Sequence, residues 1–187
     1  MSNLFQTLDQ IHKLSDESKA ALAAITQTRE LPKGFTLLHP GAVCNHMFFI
    51  QKGLSRTFYL KDGKDVTDWI SLENTFAVSI ISFITRQPDR RGIELLEDST
   101  IIEIPYVQLE QLYPKYRDIE TLGRLLSNFG LVQLQMRFDE LHFASAAERY
   151  KKFVERNPSA LQRVPLGIIA SFLGITQETL SRIRAQI

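Results

Sequence analysis

The sequence predicts an α+β protein, and three observations predict it. Residues 31–104 break into short apolar and β-branched runs divided by turn residues, the texture of a small antiparallel barrel or sandwich. Tyr116 to His142 carries apolar residues at helical spacing along its whole length. Val164 to Arg184 reads as two short helices joined by a glycine turn. The expected organisation is a β domain with leading helices over 1–114, a long helix over 115–143 and a helical C-terminal domain over 144–187.

The elements follow in order. Leu4, Leu8, Ile11 and Leu14 recur at helical spacing. Ser15-Asp16-Glu17 is a start signal for a second helix through Ala20–Ile25, so the first ~30 residues are expected to be helical. Turns are marked by Pro32-Lys33-Gly34, His39-Pro40-Gly41, Lys52-Gly53 and Lys61-Asp62-Gly63-Lys64. Between them lie strands at Met47–Gln51, Leu54–Leu60 and Val66–Leu72, with Asp62-Gly63 as a strong hairpin signal. Gly92–Leu96 and Thr100–Ile104 flank a turn at Glu97-Asp98-Ser99. Ser79–Thr85 reads as a short helix followed by the polar loop Arg86–Arg91. Pro105 opens a helix through Leu112, because proline is tolerated in a first turn.

In the long helix, Ile119, Leu122, Leu126, Phe129, Gln133 and Met136 make one seam suited to a partner helix. Leu131, Leu134, Phe138 and Leu141 make a second stripe on another face. Either one stripe packs on the body and the first seam lies at the two-fold axis of a homodimer, with Gln133 setting register, or both pack within one chain. Ala144–Asn157 is a further helix, broken at Asn157-Pro158.

The C-terminal pattern is the most specific. Pro165 begins a short helix with Ile169, Ala170 and Leu173 on its apolar side, and Gly174 ends it in a left-handed conformation. Ile175 plugs the turn, Thr176 caps the second helix, and Glu178 falls in its first turn. Leu180 and Ile183 face inward. That leaves Gln177, Glu178, Ser181, Arg182 and Arg184 outward, with Thr176 and Thr179 at the helix start. Arginine can pair with guanine, glutamate can accept from cytosine and glutamine can pair with adenine, so this face suits base reading in a major groove. A tight helical hairpin with a solvated polar face would share the same pattern.

Composition narrows the function classes. The chain has 187 residues, 44% hydrophobic and 23% charged, with a net charge of +1. Residues 144–187 hold 7 basic and 3 acidic side chains, whereas the preceding residues sum to −3. A basic C-terminal piece on an acidic body is what phosphate contacts require. No apolar run approaches the ~20 residues of a membrane helix. The N-terminus carries neither a basic flank nor a signal-peptide core, which predicts a cytoplasmic protein with no membrane partner. Cys44 is the only cysteine, which argues against a thiolate-held iron–sulfur or zinc site, and the four histidines lack metal-ligand spacing. No cofactor and no metal are expected. No nucleophile–base pair or phosphate-binding glycine loop supports an enzyme.

The order of elements, with Gly174-Ile175-Thr176-Gln177-Glu178-Thr179-Leu180-Ser181-Arg182, resembles the Crp/Fnr superfamily of bacterial regulators, the cyclic-AMP receptor and fumarate–nitrate regulator type. The resemblance implies a cyclic-nucleotide-binding-like β-roll, a jelly-roll barrel, then a dimerisation helix and a C-terminal helix-turn-helix. Glu178, Ser181 and Arg182 match the E-x-x-S-R of the fumarate–nitrate regulators, and Gln177 replaces an arginine of the cyclic-AMP receptors. The match implies a TTGAT-like half-site within a palindromic operator of double-stranded DNA, with RNA polymerase as a further partner.

Two departures accompany it. The family's nucleotide cassette carries Gly-Glu and then Arg-Ser or Arg-Thr, where this chain has Val78-Ser79 and Asp89-Arg90. A pocket around Val78, Ser79, Ser82, Arg90 and Arg91 is therefore expected to be empty or to take an unknown small effector rather than cyclic AMP. His39, Cys44 and His46 share one loop but do not make the sensing sets of the iron–sulfur or haem subgroups. The chain stops at Ile187, so the family's C-terminal wing is expected to be absent or minimal. The expected function is a dimeric, sequence-specific transcriptional regulator. The alternative is a β-roll that binds a small ligand or a protein, with weak or no DNA binding.

Overall fold

The computed structural model describes residues 1–186. Two helices, α1 (Ser2–Ile11) and α2 (Asp16–Ile25), lead the chain. Leu4 and Leu8 of α1 are buried, and Ser15 caps α2 by accepting from the Ser18 backbone N–H at 3.2 Å. Among the described residues the strands are β1 (Gln27–Leu31), β2 (Thr36–Leu38), β3 (His46–Lys52), β4 (Ser55–Lys61), β5 (Lys64–Ser71), β6 (Phe76–Ala77), β7 (Gly92–Leu95) and β8 (Ser99–Pro105). They form two antiparallel four-stranded sheets, ordered β1-β8-β3-β6 and β2-β7-β4-β5. Inside the β domain lies α3 (Ile80–Thr85), and α4 (Tyr106–Leu112) follows β8. Then come the 27-residue α5 (Arg117–Phe143), α6 (Ala146–Arg156), α7 (Ala160–Arg163), α8 (Leu166–Phe172) and α9 (Gln177–Gln186).

Local chemistry explains several boundaries. Asp62 (φ 51°) and Gly63 (φ 73°) both adopt left-handed backbone between Lys61 and Lys64, the two-residue turn whose twist matches paired strands. Ser145 and Glu148 form a reciprocal capping box that starts α6. The expected helical run over the first ~30 residues stops early, at Ile25, because Gln27–Leu31 pairs with β8. That strand is mostly exposed, so its apolar pattern is silent and its partner lies about seventy residues away.

The main core joins Phe48, Phe49 and Ile50 of β3, Ile101, Ile102 and Ile104 of β8, and Ile93 and Leu95 of β7. Leu4, Leu8 and Leu22 of the leading helices close it on one side, with Leu109, Leu112, Ile119 and Leu122. A second cluster gathers Tyr150, Phe153, Val164, Ile169, Ala170, Leu173, Leu180 and Ile183 from the C-terminal helices. Leu54, Ile70 and Leu96 of the β domain belong to this same cluster. The C-terminal helices are therefore seated on the sheet β2-β7-β4-β5 rather than tethered to it.

The first seam of the long helix needs correction. Ile119 and Leu122 are 2% and 3% exposed and pack in the chain's own core, with Leu126 against it. A partner helix has no access to the first two. Beyond Leu126 the helix leaves the β-domain core, and Phe129, Leu131, Leu134, Met136, Phe138 and Leu141 are exposed, with Gln133 half-buried. The seam thus changes environment midway: its first turns serve the β domain, and its later turns share the open surface with the second stripe. None of the described helices is long and apolar enough to cross a membrane.

Candidate nucleic-acid interface

The end of α8 is built from backbone bonds. Gly174 (φ 67°) donates to the Ser171 carbonyl at 3.0 Å, and Ile175 donates to the Ala170 carbonyl at 3.0 Å. This paired closure turns the chain sharply, and it requires the left-handed residue that glycine supplies. Two residues later the Thr176 hydroxyl accepts from the Thr179 backbone N–H at 3.1 Å and starts α9. Leu180 and Ile183 of α9 are buried against Ile169, Ala170 and Leu173.

Those anchors fix the opposite face. Gln177, Glu178, Ser181, Arg182 and Arg184 are exposed, as the sequence predicts. Glu178 and Arg182 form an ion pair one turn apart. Such a pair at the surface contributes little to stability but holds both side chains on one stripe. Thr176 and Thr179 are placed differently from the other five: their hydroxyls lie 2.9 Å apart and serve the helix start. A Cβ at Gly167 would stand 3.1 Å from the Gln177 amide nitrogen, so Gln177 leans over the start of α8. The missing side chain at Gly167 makes that room.

The second predicted site lies in the β domain, at the start of α3. Ser79 and Ser82 are fully buried and Val78 is half-buried against the core. Ser79 donates to Asp89 Oδ2 at 2.6 Å, and Ser82 donates to the Gln87 carbonyl at 2.6 Å while accepting from Cys44 N–H at 2.9 Å. Arg91 reaches Asp89 at 3.2 Å and Asp68 at 2.6 Å. Burial raises the Asp89 pKa, but the Ser79 and Arg91 contacts outweigh it and hold the carboxyl below its ordinary value. Arg90 is exposed and stacks over the Tyr59 ring at 4.6 Å, away from this cluster. The structure brings Ser79 and Arg91 together but not Arg90. Asp89, absent from the predicted pocket set, sits between them. The Asp89-Arg90-Arg91 run carried the signal, because an acidic residue beside two arginines invites an internal ion pair.

Residues 28–116 match the family described as the cyclic nucleotide-binding domain. No curated protein matches the chain significantly. Solved structures do match in fold. FixK2 from Bradyrhizobium japonicum is 16% identical, with a TM-score of 0.73 over 87% of this chain and 84% of its own. The c-di-GMP-responsive global regulator CLP of Xanthomonas campestris is 15% identical, with a TM-score of 0.71 over 92% of this chain and 91% of its own. A Crp/Fnr-family protein from Eubacterium rectale is 16% identical, with a TM-score of 0.70 over 91% of this chain and 82% of its own. The chain therefore contains a cyclic nucleotide-binding-type β-roll in the fold of the Crp/Fnr regulators, as the sequence resemblance implied.

Proposed function

We propose that this chain is a sequence-specific DNA-binding transcriptional regulator of the Crp/Fnr type, acting as a homodimer on a palindromic site. The observation that carries the reading is α9 itself. Its Leu180 and Ile183 are buried, and Glu178, Ser181 and Arg182 are exposed on its outer face, the first and last paired with each other. That face matches what base edges in a major groove accept: a bidentate guanidinium for guanine, a carboxylate for cytosine N–H and a small residue that admits close approach. In this reading α8 and α9 are a helix-turn-helix, α9 is the recognition helix, and the two copies read half-sites about one helical turn apart. The excess of basic over acidic side chains after residue 143 supports phosphate contact.

The β-roll is the regulatory half in this reading. The expected nucleotide cassette is occupied by the Ser79–Asp89–Arg91 cluster, which favours an effector other than cyclic AMP, or none. RNA polymerase is a further partner that a regulator of this type would meet.

In-vitro selection from random duplex DNA tests the proposal. The wild-type protein is expected to enrich an inverted repeat. Arg182→Ala is expected to lose about 1–3 kcal/mol of discrimination at one base pair of each half-site. Enrichment without any common sequence would overturn the reading in favour of a β-roll module that does not read DNA.

A further inference from the structure

The carbonyls at the end of α8 can be counted. Leu173 N–H takes the Ile169 carbonyl, Ile175 takes that of Ala170, and Gly174 takes that of Ser171. Phe172 and Leu173 remain, since helix ends leave their last carbonyls without intrahelical donors. Both are met by arginines from outside. Arg137 of α5 donates to the Phe172 carbonyl. Arg149 of α6 donates to the Leu173 carbonyl at 2.9 Å and, through its other arm, to the Ala144 carbonyl at 2.6 Å. Ala144 is the elbow between α5 and α6. One guanidinium on each side of that elbow therefore grips the same helix end, where the helix dipole favours cations.

Arg137 is held more firmly than a hydrogen bond alone would hold it. Its guanidinium lies 3.9 Å from the centroid of the Phe172 ring, which in turn packs on Phe153 at 5.5 Å. Burial lowers its pKa to about 10; among the described residues it meets a carbonyl and a ring face and forms no salt bridge with a carboxylate. One turn further along α5, Leu141 lies 3.5 Å from where a Cβ of Gly174 would stand. The long helix thus touches the α8–α9 turn at two points on one face, and α9 begins three residues after Gly174.

We propose that Arg137, seconded by Arg149, is the positioning residue that fixes the pose of α8–α9 on the long helix, and so sets the separation between half-sites. The inference rests on the DNA-reading proposal for its functional consequence, but not for its geometry. A filler of the same volume would pack the gap. Directed donors from Arg137 and Arg149 to two adjacent carbonyls restrict rotation of the helix end, which an apolar filler would not do. The β-roll holds the other flank, where Arg163 bridges Glu73 and Glu97 at 2.5 Å each and the Thr67 N–H donates to Ser171 Oγ at 2.8 Å. Those contacts seat the pair of helices, and the two arginines aim it. An α9 of ten residues is about 15 Å long, so a small rotation at Phe172 displaces its far end by ångströms, and a two-fold axis doubles the change.

Two measurements test it, each on the full chain. The first is selection on DNA carrying fixed half-sites and spacers of varied length. Wild type is expected to favour one spacing. Arg137→Gln and Arg149→Gln are expected to keep the half-site sequence but lose about tenfold of the preference between the best spacing and its neighbours. Arg137→Lys, which keeps the charge and a donor, is expected to fall between. A merely structural role would lower affinity equally at every spacing.

The second needs no DNA: a spin-label distance between Glu110→Cys and Ala185→Cys, both exposed, diluted with unlabelled protein while the buried Cys44 escapes the label. The Gln variants are expected to broaden the distance distribution. If Arg137→Gln does not fold, Arg137→Lys and Arg149→Gln carry both readouts. Unchanged distances and unchanged spacing in the folded variants overturn the inference. Broadened distances in a protein that selects no DNA leave the positioning role standing and remove the DNA reading instead.

Discussion

Ser79 and Asp89 meet in a 2.6 Å hydrogen bond inside the β-roll, serine donating, and Arg91 contacts the same carboxylate at 3.2 Å. An anionic ligand in this place would find its hydroxyl donor and its cation already engaged by a fixed carboxylate. Like charges at such range cost several kcal/mol unless one is displaced or neutralised, so Asp89 acts as a resident anion.

Wild-type protein is therefore expected to show no micromolar heat with cyclic AMP or cyclic GMP in calorimetry. Asp89→Asn removes the charge while keeping the shape, and leaves Arg91 with Asp68 alone. It is expected to destabilise the fold by about 1–3 kcal/mol in denaturant titrations, as removal of one member of a buried polar pair does. Tight nucleotide binding by the wild type would show that Asp89 moves aside.

The turn at Gly174 makes a second, narrower claim. Its φ of 67° is left-handed, and an added Cβ would meet only Leu141 at an ordinary 3.5 Å. The penalty for Gly174→Ala is thus conformational rather than steric, about 1–2 kcal/mol. Gly174→Asn is expected to cost less, because asparagine tolerates this region. Equal losses for the two, measured by thermal unfolding, would mean that crowding against the long helix dominates.

These two sites show what the sequence could disclose. Gly174, Thr176, Leu180 and Ile183 act through bonds and burial within a dozen residues, so their types and spacing reveal them. Asp62-Gly63 was legible for the same reason. Strands β1, β2 and β6 were not, because two are at most three residues long and the first is mostly exposed. Their existence depends on distant backbone partners. The four-residue α7 is a single turn and has no period to read. The stripe on α5 was visible as a period, but whether Ile119 meets its own β domain or a second copy depends on where the helix leaves the β-domain core, which no local pattern encodes. The grip of Arg137 on Phe172 links residues 35 apart and had no sequence signal.

Asp118 supplies a pH dependence. It accepts from Ser15 N–H at 2.9 Å, from the Ser18 hydroxyl at 2.5 Å and from Ile119 N–H at 3.0 Å, tying the start of α2 to the start of α5. Burial alone would raise its pKa, but these bonds prevail and bring it from an ordinary 3.8 to about 2. A depressed folded pKa means the stabilisation is complete above the unfolded value and is lost as pH falls through the folded one. Stability is thus expected to decline between about pH 4 and pH 2 through this group. Asp118→Asn is expected to be less stable at neutral pH, with its curve converging on wild type near pH 2. A constant difference across that range would show that the carboxylate's charge is not what the three donors recognise.

The long helix separates stability from assembly. Ile119 is 2% exposed, and Ile119→Ala is expected to cost about 2–5 kcal/mol through lost burial and the cavity left behind. Further along, Leu131, Leu134, Phe138 and Leu141 are 68%, 47%, 52% and 41% exposed and follow the 3-4-3 spacing of a helix–helix seam. Phe129 at 59% and Phe143 at 80% extend the surface. An apolar stripe of this length on an isolated chain marks an interaction surface. A second copy of the same helix is its simplest complement, because each stripe is then covered by its own equivalent about a two-fold axis. Leu134→Glu combined with Phe138→Glu is therefore expected to yield a folded monomer in light scattering, with unfolding free energy per chain little changed. Ile119→Ala is expected to remain dimeric at micromolar concentration while unfolding earlier. A wild-type protein that sediments as a monomer at that concentration would remove the homodimer, and with it the two-fold operator. If the double variant at Leu134 and Phe138 stays dimeric, the interface moves off this stripe and back toward Phe129, Gln133 and Met136.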